Sequence, residues 1–294
     1  MIADVLNVNH GSESTAHMVA SYFAERGVER SAISGELLKP LYDVLSKSSN
    51  TPLGGDFHVL KLAPAEKPVD DNVWGVIVET REHPALEFII NHFSEQLGIG
   101  IQLFHGTANE SFIMESKIAG LIEQGKVKLT PLKTETLSLG DYNALFLSRE
   151  FWDSQLGRKK ILIFQTDAIL CANSDYQLSD FLGFDYIGSR WLRDRPVGMT
   201  IDGGNGGLSL RDWPRTVVCL KRFSPKMWPG GEDGYFAFHM DLMGGRVGRG
   251  DECSRFSTQH EFQYKSFGGH KLTELGSLSL EKFFQYCPAA RQIL

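Results

Sequence analysis

The run Val73-Trp74-Gly75-Val76-Ile77-Val78 is apolar, rich in β-branched residues and flanked by polar ones. That pattern predicts a central strand covered on both faces. Pro84 then stands at the first position of a predicted helix with an apolar stripe of Leu86, Ile89, Ile90, Phe93 and Leu97, closed by Gly98. A second strand is expected over Ile99 to Phe104, a helix from Glu110 to Gln124 ending at Gly125, and a short third strand at Val127 to Leu129. Across Asp141 to Leu156, the residues Tyr142, Leu145, Phe146, Trp152 and Leu156 share a helical face capped by Gly157. The fourth strand, 160–165, is the most apolar: Ile161-Leu162-Ile163-Phe164 stops abruptly at Gln165-Thr166-Asp167. Four alternations of strand and helix with short connections predict an α/β fold on a mostly parallel, doubly wound sheet. Beyond Asp167 the alternation gives way to glycine-rich loops, short strands and aromatic patches. A Rossmann-like half is thus followed by a loop-rich half, suited to a site that admits two substrates.

Residues 1–70 have a different texture. Two helical faces, Ala16, Val19, Tyr22, Phe23 and then Leu37, Leu38, Leu41, Val44, Leu45, precede the serine-rich stretch Ser46 to Asn50 and prolines at 52, 64 and 68. This predicts an N-terminal accessory helical segment over 1–70, packed on a main domain over 71–294, with a dimerisation or partner helix as the other reading.

The chain carries 30 Lys and Arg against 36 Asp and Glu, a formal charge of −6. Nucleic-acid backbones need clustered cations, so this balance points away from them and towards small-molecule chemistry. The four cysteines, 171, 219, 253 and 287, form no Cys-x-x-Cys pair, and reduced, mostly buried thiols are expected. No signal-like start and no uncharged run of membrane-spanning length is present, which predicts a soluble, cytoplasmic protein without a transmembrane segment. The oligomeric state, a homo-oligomer included, stays open.

Three segments carry candidate chemistry. Asp167 follows four large apolar residues, and a carboxylate delivered by a buried strand to a sheet edge can hold a divalent cation whose shell is completed by phosphates. The alternative is an aspartate capping the next turn. Gly203-Gly204-Asn205-Gly206-Gly207 suits backbone that touches a ligand, although tight turns use the same residues. In Gly231-Glu232-Asp233, the carboxylates either cap a helix or supply a general base, with Asp233 taking a proton and Glu232 holding substrate or helix geometry. Arg81, in the turn Glu79-Thr80-Arg81-Glu82-His83, faces a nucleotide or pairs with Glu79 or Glu82. His105 is either structural or substrate-contacting. Trp228 reads equally as a platform for a sugar ring or as core, and His270 sits in a glycine loop with neighbours that look exposed. Gly244 to Gly250 reads as a loop able to close over a ligand or as an ordinary flexible connection.

In their order, Val78-Glu79-Thr80-Arg81, Phe164-Gln165-Thr166-Asp167, Gly204 to Arg211, Gly231-Glu232-Asp233 and His270 resemble a largely uncharacterised glycosyltransferase-like family of GT-A fold. The resemblance covers roughly residues 72 to 275. More distantly, Gly230 to Asp233 is similar to the Gly-Gly-Glu-Asp segment of the β-1,4-galactosyltransferases. It implies a GT-A-like fold, a nucleotide-sugar donor with uridine as the base, a glycan or other hydroxyl-bearing acceptor, and Mn2+ or Mg2+. It also implies donor contacts from Glu79, Thr80, Arg81, Gln165, Thr166, Asp167 and the loop Gly204, Asn205, Gly206, Gly207. Metal ligation falls to Asp167 and His270 and base catalysis to Asp233, while Glu232 beside it and Trp228 as an acceptor contact stay candidates from their own positions in the chain. Gln165 stands where the family's first metal-site aspartate would be, which removes one charge from the donor site. Two other classes remain in play: a non-catalytic sugar- or nucleotide-binding protein of the same fold, and a sugar-phosphate nucleotidyltransferase.

Overall fold

The computed structural model describes Ile2, Leu6 and residues 13–48, 62–69, 71–191 and 199–294. Its strands are β1 (Val73–Glu79), β2 (Ile101–His105), β3 (Val127–Pro131), β4 (Lys160–Phe164), β5 (Ala168–Leu170), β6 (Tyr186–Ser189), β7 (Asn205–Asp212), β8 (Ser257–Thr258) and β9 (Gly268–His270). A six-stranded sheet has the order β3-β2-β1-β4-β7-β6. The first four of these run parallel; β7 pairs antiparallel with β4, and β6 antiparallel with β7, so that only β7 runs against the rest. The fold is therefore α/β with a mostly parallel central sheet, as the alternation predicts. Both faces of β1 are covered: Trp74, Val76 and Val78 join one apolar cluster, Val73 and Ile77 the other. Strand order reverses between β1 and β4, where open α/β sheets leave a crevice outside the carboxyl ends.

Local chemistry moved several boundaries. The first crossover helix, Leu86–Leu97, starts two residues after Pro84. The single helix expected over 110–124 is two, Glu110–Met114 and Ile118–Glu123. Ser116 divides them, its Oγ donating to the Ile113 carbonyl and accepting from the Ile118 N–H, a local alternative to the helical ladder. Likewise the 141–156 stripe is shared by Leu139–Phe146 and Arg149–Asp153, the second capped by Ser148. Arg211 lies in β7, and Asp212 caps the helix Trp213–Arg222 that follows.

A second sheet, β5-β9-β8, stands beside the first. After β4 the chain turns through Gln165-Thr166-Asp167 and passes into it, with Ala168 opposite His270 in the antiparallel β5/β9 register. Cys171, at the end of β5, forms a disulfide with Cys287 after the helix Ser277–Tyr286, while Cys219 and Cys253 are free and buried. The expectation of four reduced thiols is thus corrected for two of them. Their separation of 116 residues hides the pairing from the sequence. Among the described residues no helix is long and apolar enough to cross a membrane.

The N-terminal helices Thr15–Ala24 and Gly35–Ser48 pack into the same apolar cluster as the helix Glu232–Leu242. Leu38, Leu41 and Leu45 are buried, whereas Leu37 and Val44 of the same expected face are exposed. Ser49, Asn50 and Pro52, which carried part of the accessory-segment reading, lie outside the described residues.

Tyr42 is tied to His239 through a wholly buried contact: the tyrosine hydroxyl meets Nε2 at 2.6 Å, and Nδ1 meets the Tyr235 carbonyl at 2.7 Å. Nδ1–H therefore donates to the carbonyl and Nε2 accepts from the hydroxyl. Burial pushes the imidazole pKa down to about 3. An unfolded histidine takes its proton near 6.5, so this group's stabilising effect is complete above that pH and is lost as pH falls from about 6.5 towards 3. The slope is up to about 1.4 kcal/mol per pH unit. Urea unfolding at pH 7, 5.5 and 4.5 should show wild type losing stability faster than His239→Gln, and parallel curves would refute the assignment.

Candidate functional site

A cavity of about 680 Å³ opens where β1 and β4 end and antiparallel β7 begins. From β1 it is lined by Glu79, Thr80 and Arg81, from the β4 exit by Gln165, Thr166 and Asp167, and from β7 by Asn205, Gly206 and Gly207. Glu232 and Asp233, at the start of the helix Glu232–Leu242, close another side. Segments more than 150 residues apart in the chain thus share one space.

The β1 turn is held from below. Buried Asn109 donates to the carbonyls of Glu79 and Arg81 at 2.9 and 3.0 Å. Buried Glu79 takes two side-chain hydrogen bonds of 2.8 Å from Arg81, so the guanidinium is fixed while still lining the cavity. Both readings of Arg81, ion pair and cavity face, are realised together.

At the β4 exit, His270 Nε2 lies 3.2 Å from Gln165 Oε1 and 3.3 Å from Asp167 Oδ1. The register opposite Ala168 puts it there. His270 has no exposed surface, contrary to the exposed neighbourhood expected from its glycines, and lies behind the cavity wall. Burial opposes ionisation of Asp167, yet the adjacent His270 ring, together with the Asp167 backbone N–H and the Lys271 charge, holds the carboxyl below its ordinary pKa. Asp167 Oδ1 is a buried oxygen without a directed hydrogen bond.

These three donors, one carboxylate, one imidazole and one amide carbonyl, suit a manganese-like cation in type. The distances of the His270 nitrogen from the two oxygens, 3.2 and 3.3 Å, suit neighbouring positions about 2.1 Å from a shared ion. They carry one formal negative charge, and among the described residues no cluster of three or more His, Cys, Asp or Glu side chains surrounds them. The set therefore fits a cation whose shell is completed by an anionic ligand.

On the opposite face of β7 lies the acidic pair. Asp233 accepts from the Gly234 N–H at 2.7 Å and from Gly206 N at 3.4 Å. Both oxygens of Glu232 are engaged by Arg211, at 2.5 and 2.9 Å, and the pair is buried. The Glu232 charge keeps Arg211 protonated against burial. Arg211 Nε also donates to Ser209 Oγ, which in turn donates to the Gly206 carbonyl. The Glu232 N–H donates to Asn143. Of the two roles open to Glu232, the geometry selects the second: it fixes the helix start to β7, and its carboxylate is not free for a substrate.

Gly206 and Gly207 separate the two clusters at close quarters. A Cβ on Gly206 would come 2.5 Å from Glu232 Oε1, and one on Gly207 would fall on the His270 ring and 2.7 Å from Gln165 Oε1. Gly207→Ala should therefore cost about 1–3 kcal/mol through overpacking. Gly120→Ala, in a helix with open space around it, should gain up to about 1 kcal/mol. Thermal unfolding of the two variants checks the opposite signs.

The expectations for Trp228 and Gly204 are corrected, and the open readings of His105 and of the stretch 244–250 are narrowed. Trp228 is 1% exposed, with its indole N–H donating to the Gly231 carbonyl and its ring stacked on Phe238, so it cannot offer a platform to a ligand. Gly204, at φ 90°, packs on the backbone of Gly188 and Ser189 and does not line the cavity. His105 is buried, its Nδ1 on the Gly106 carbonyl. The Gly244–Gly250 stretch is tied by Arg246 N to Asp185 and by Gly248 N to the Tyr186 carbonyl. Residues that sequence reasoning passed over also line the cavity: Leu137, Leu139, Tyr142, Asn143 and Lys271. The Ser138-x-x-Asp141 capping box was the available signal for a helix start at that rim.

A family model described as a protein of unknown function (DUF5672) matches residues 126–271. No curated protein matches the chain. Among solved structures, a protein described as a glucose-1-phosphate thymidylyltransferase from Bacillus anthracis, in complex with sucrose, aligns at 12% identity and TM-score 0.36, over 57% of this chain and 83% of its own. A mannosyltransferase from Pyrobaculum calidifontis, in complex with GDP-Man and Mn2+, aligns at 10% identity and TM-score 0.37, over 85% of this chain and 66% of its own.

Proposed function

We propose that the chain is an inverting glycosyltransferase that moves a sugar from a nucleotide-sugar, with uridine donors the first choice, to an acceptor hydroxyl. One observation carries the reading: Asp167 and Asp233 line a single cavity at the sheet's switch point, with two side-chain-free residues between them. The β1 turn receives the nucleoside, the β4 exit faces the diphosphate, and Asp233 faces the acceptor. Asp233 takes the proton of the acceptor hydroxyl as its oxygen bonds to the anomeric carbon. The bond from that carbon to the phosphate oxygen breaks, and the nucleoside diphosphate leaves with the electron pair. Such a displacement inverts the anomeric centre. Asp167, His270 and Gln165 would hold a divalent cation, which would supply charge neutralisation to the leaving diphosphate. The helices Thr15–Ala24 and Gly35–Ser48 serve as a brace behind the acidic helix.

A thermal-shift screen of nucleotide-sugars with and without Mn2+ is the first test, followed by assay of nucleoside diphosphate release. Stabilisation by a donor, greater with Mn2+, and slow release that Asp167→Ala abolishes are expected. Donor binding without turnover for any acceptor would replace the reading with a binding protein. Pyrophosphate formation from a nucleoside triphosphate and a sugar phosphate would replace it with a nucleotidyltransferase.

A further inference from the structure

Charges around the cavity are unevenly matched. Glu79 is engaged by Arg81, and Glu232 by Arg211. That leaves Asp167 and Asp233 as lining carboxylates, with Lys271 as a lining cation that forms no ion pair among the described residues. Lys271 is the first residue beyond β9, directly after His270, and its N–H reaches the Asp167 carbonyl at 3.3 Å. Its backbone lies in the left-handed region at φ 48°, ψ 48°, which side-chain-bearing residues rarely adopt. Glycine would enter that conformation more readily.

We propose that Lys271 binds the diphosphate of the ligand, an inference that rests on the transferase reading above. An ammonium is a compact charge that suits phosphate oxygens far better than the neutral hydroxyls of a sugar. Its place beside Asp167 and His270 also assigns it to the phosphate end of the cavity. With Gln165 contributing no charge, Lys271 supplies positive charge that a dianionic group needs among these carboxylates.

Calorimetric titration with UDP, GDP and uridine, each with and without Mn2+, tests this on wild type, Lys271→Met, Lys271→Arg and Lys271→Gly. Lys271→Met should bind the diphosphate roughly ten- to a hundredfold more weakly, the loss of one hydrogen bond to a charged group. Uridine binding should stay as in wild type, and Lys271→Arg should retain most of the diphosphate affinity. Lys271→Gly should melt at the same temperature or higher while losing diphosphate affinity, which a purely structural lysine would not do. If wild type binds UDP or GDP and Lys271→Met binds it equally well, or loses uridine in the same proportion, the role of Lys271 falls and the transferase reading stands. If wild type binds neither nucleoside diphosphate, both fall.

Discussion

An Asp233→Asn chain should bind its donor as wild type does and transfer the sugar about 10²–10⁴ times more slowly, the usual weight of a general base. The fold gives this substitution little to disturb. An asparagine oxygen can keep the 2.7 Å hydrogen bond from the Gly234 N–H, and the second contact, 3.4 Å to Gly206 N, is long enough to lose cheaply. What an amide cannot do is accept the acceptor's proton. The difference should appear in kcat, with donor KM little changed, because Asp233 lies across the two glycines from Asp167 and His270. A kcat within about threefold of wild type would end Asp233's role as base.

The second large effect concerns stability. Glu232→Leu should cost about 3–5 kcal/mol, because it strands the guanidinium of Arg211, a side chain with no exposed surface, without a counter-charge. Arg211→Met alone should cost a similar amount by leaving Glu232 buried, where burial and neighbouring Asp233 both press its carboxyl pKa upward. The double variant Arg211→Met with Glu232→Leu should recover most of the loss, since replacing both members of a buried pair by apolar groups of similar volume is often neutral. Denaturant unfolding of the four proteins gives the coupling energy. If the double variant is as unstable as the sum of the singles, the two side chains do not act as a pair.

Why some of this could be read from the chain and some could not follows from how far each signal reaches. Strands β1 and β4 are covered on both faces, so their apolar runs announce them, and the abrupt stop at Gln165-Thr166-Asp167 locates a cavity wall. Gly206 and Gly207 were conspicuous because close approach forbids side chains there. Helix interruptions at Ser116 and Ser148 were harder, since a serine bonding its own backbone leaves the apolar stripe unbroken. Trp228 misled because an aromatic beside a glycine loop has the same signature whether it faces solvent or core. Arg211 and Lys271 were invisible as site residues for another reason: what matters about each is a partner, or the lack of one, across the fold. Arg211 meets its carboxylate 21 residues away, and the cavity that Lys271 lines is assembled from both ends of the domain.

Helix Glu232–Leu242 has two ends with different neighbours. Its first turn carries Asp233 into the cavity, while His239, near its last, is clasped by Tyr42. Trimming the chain to begin at residue 71 would therefore unroof a patch of aromatic rings around Trp228 and His239 and unseat the rod on which the carboxylate is mounted. On the proposed reading, transfer would then respond to the N-terminal helices from the far end of a lever, with no need for them to approach a substrate.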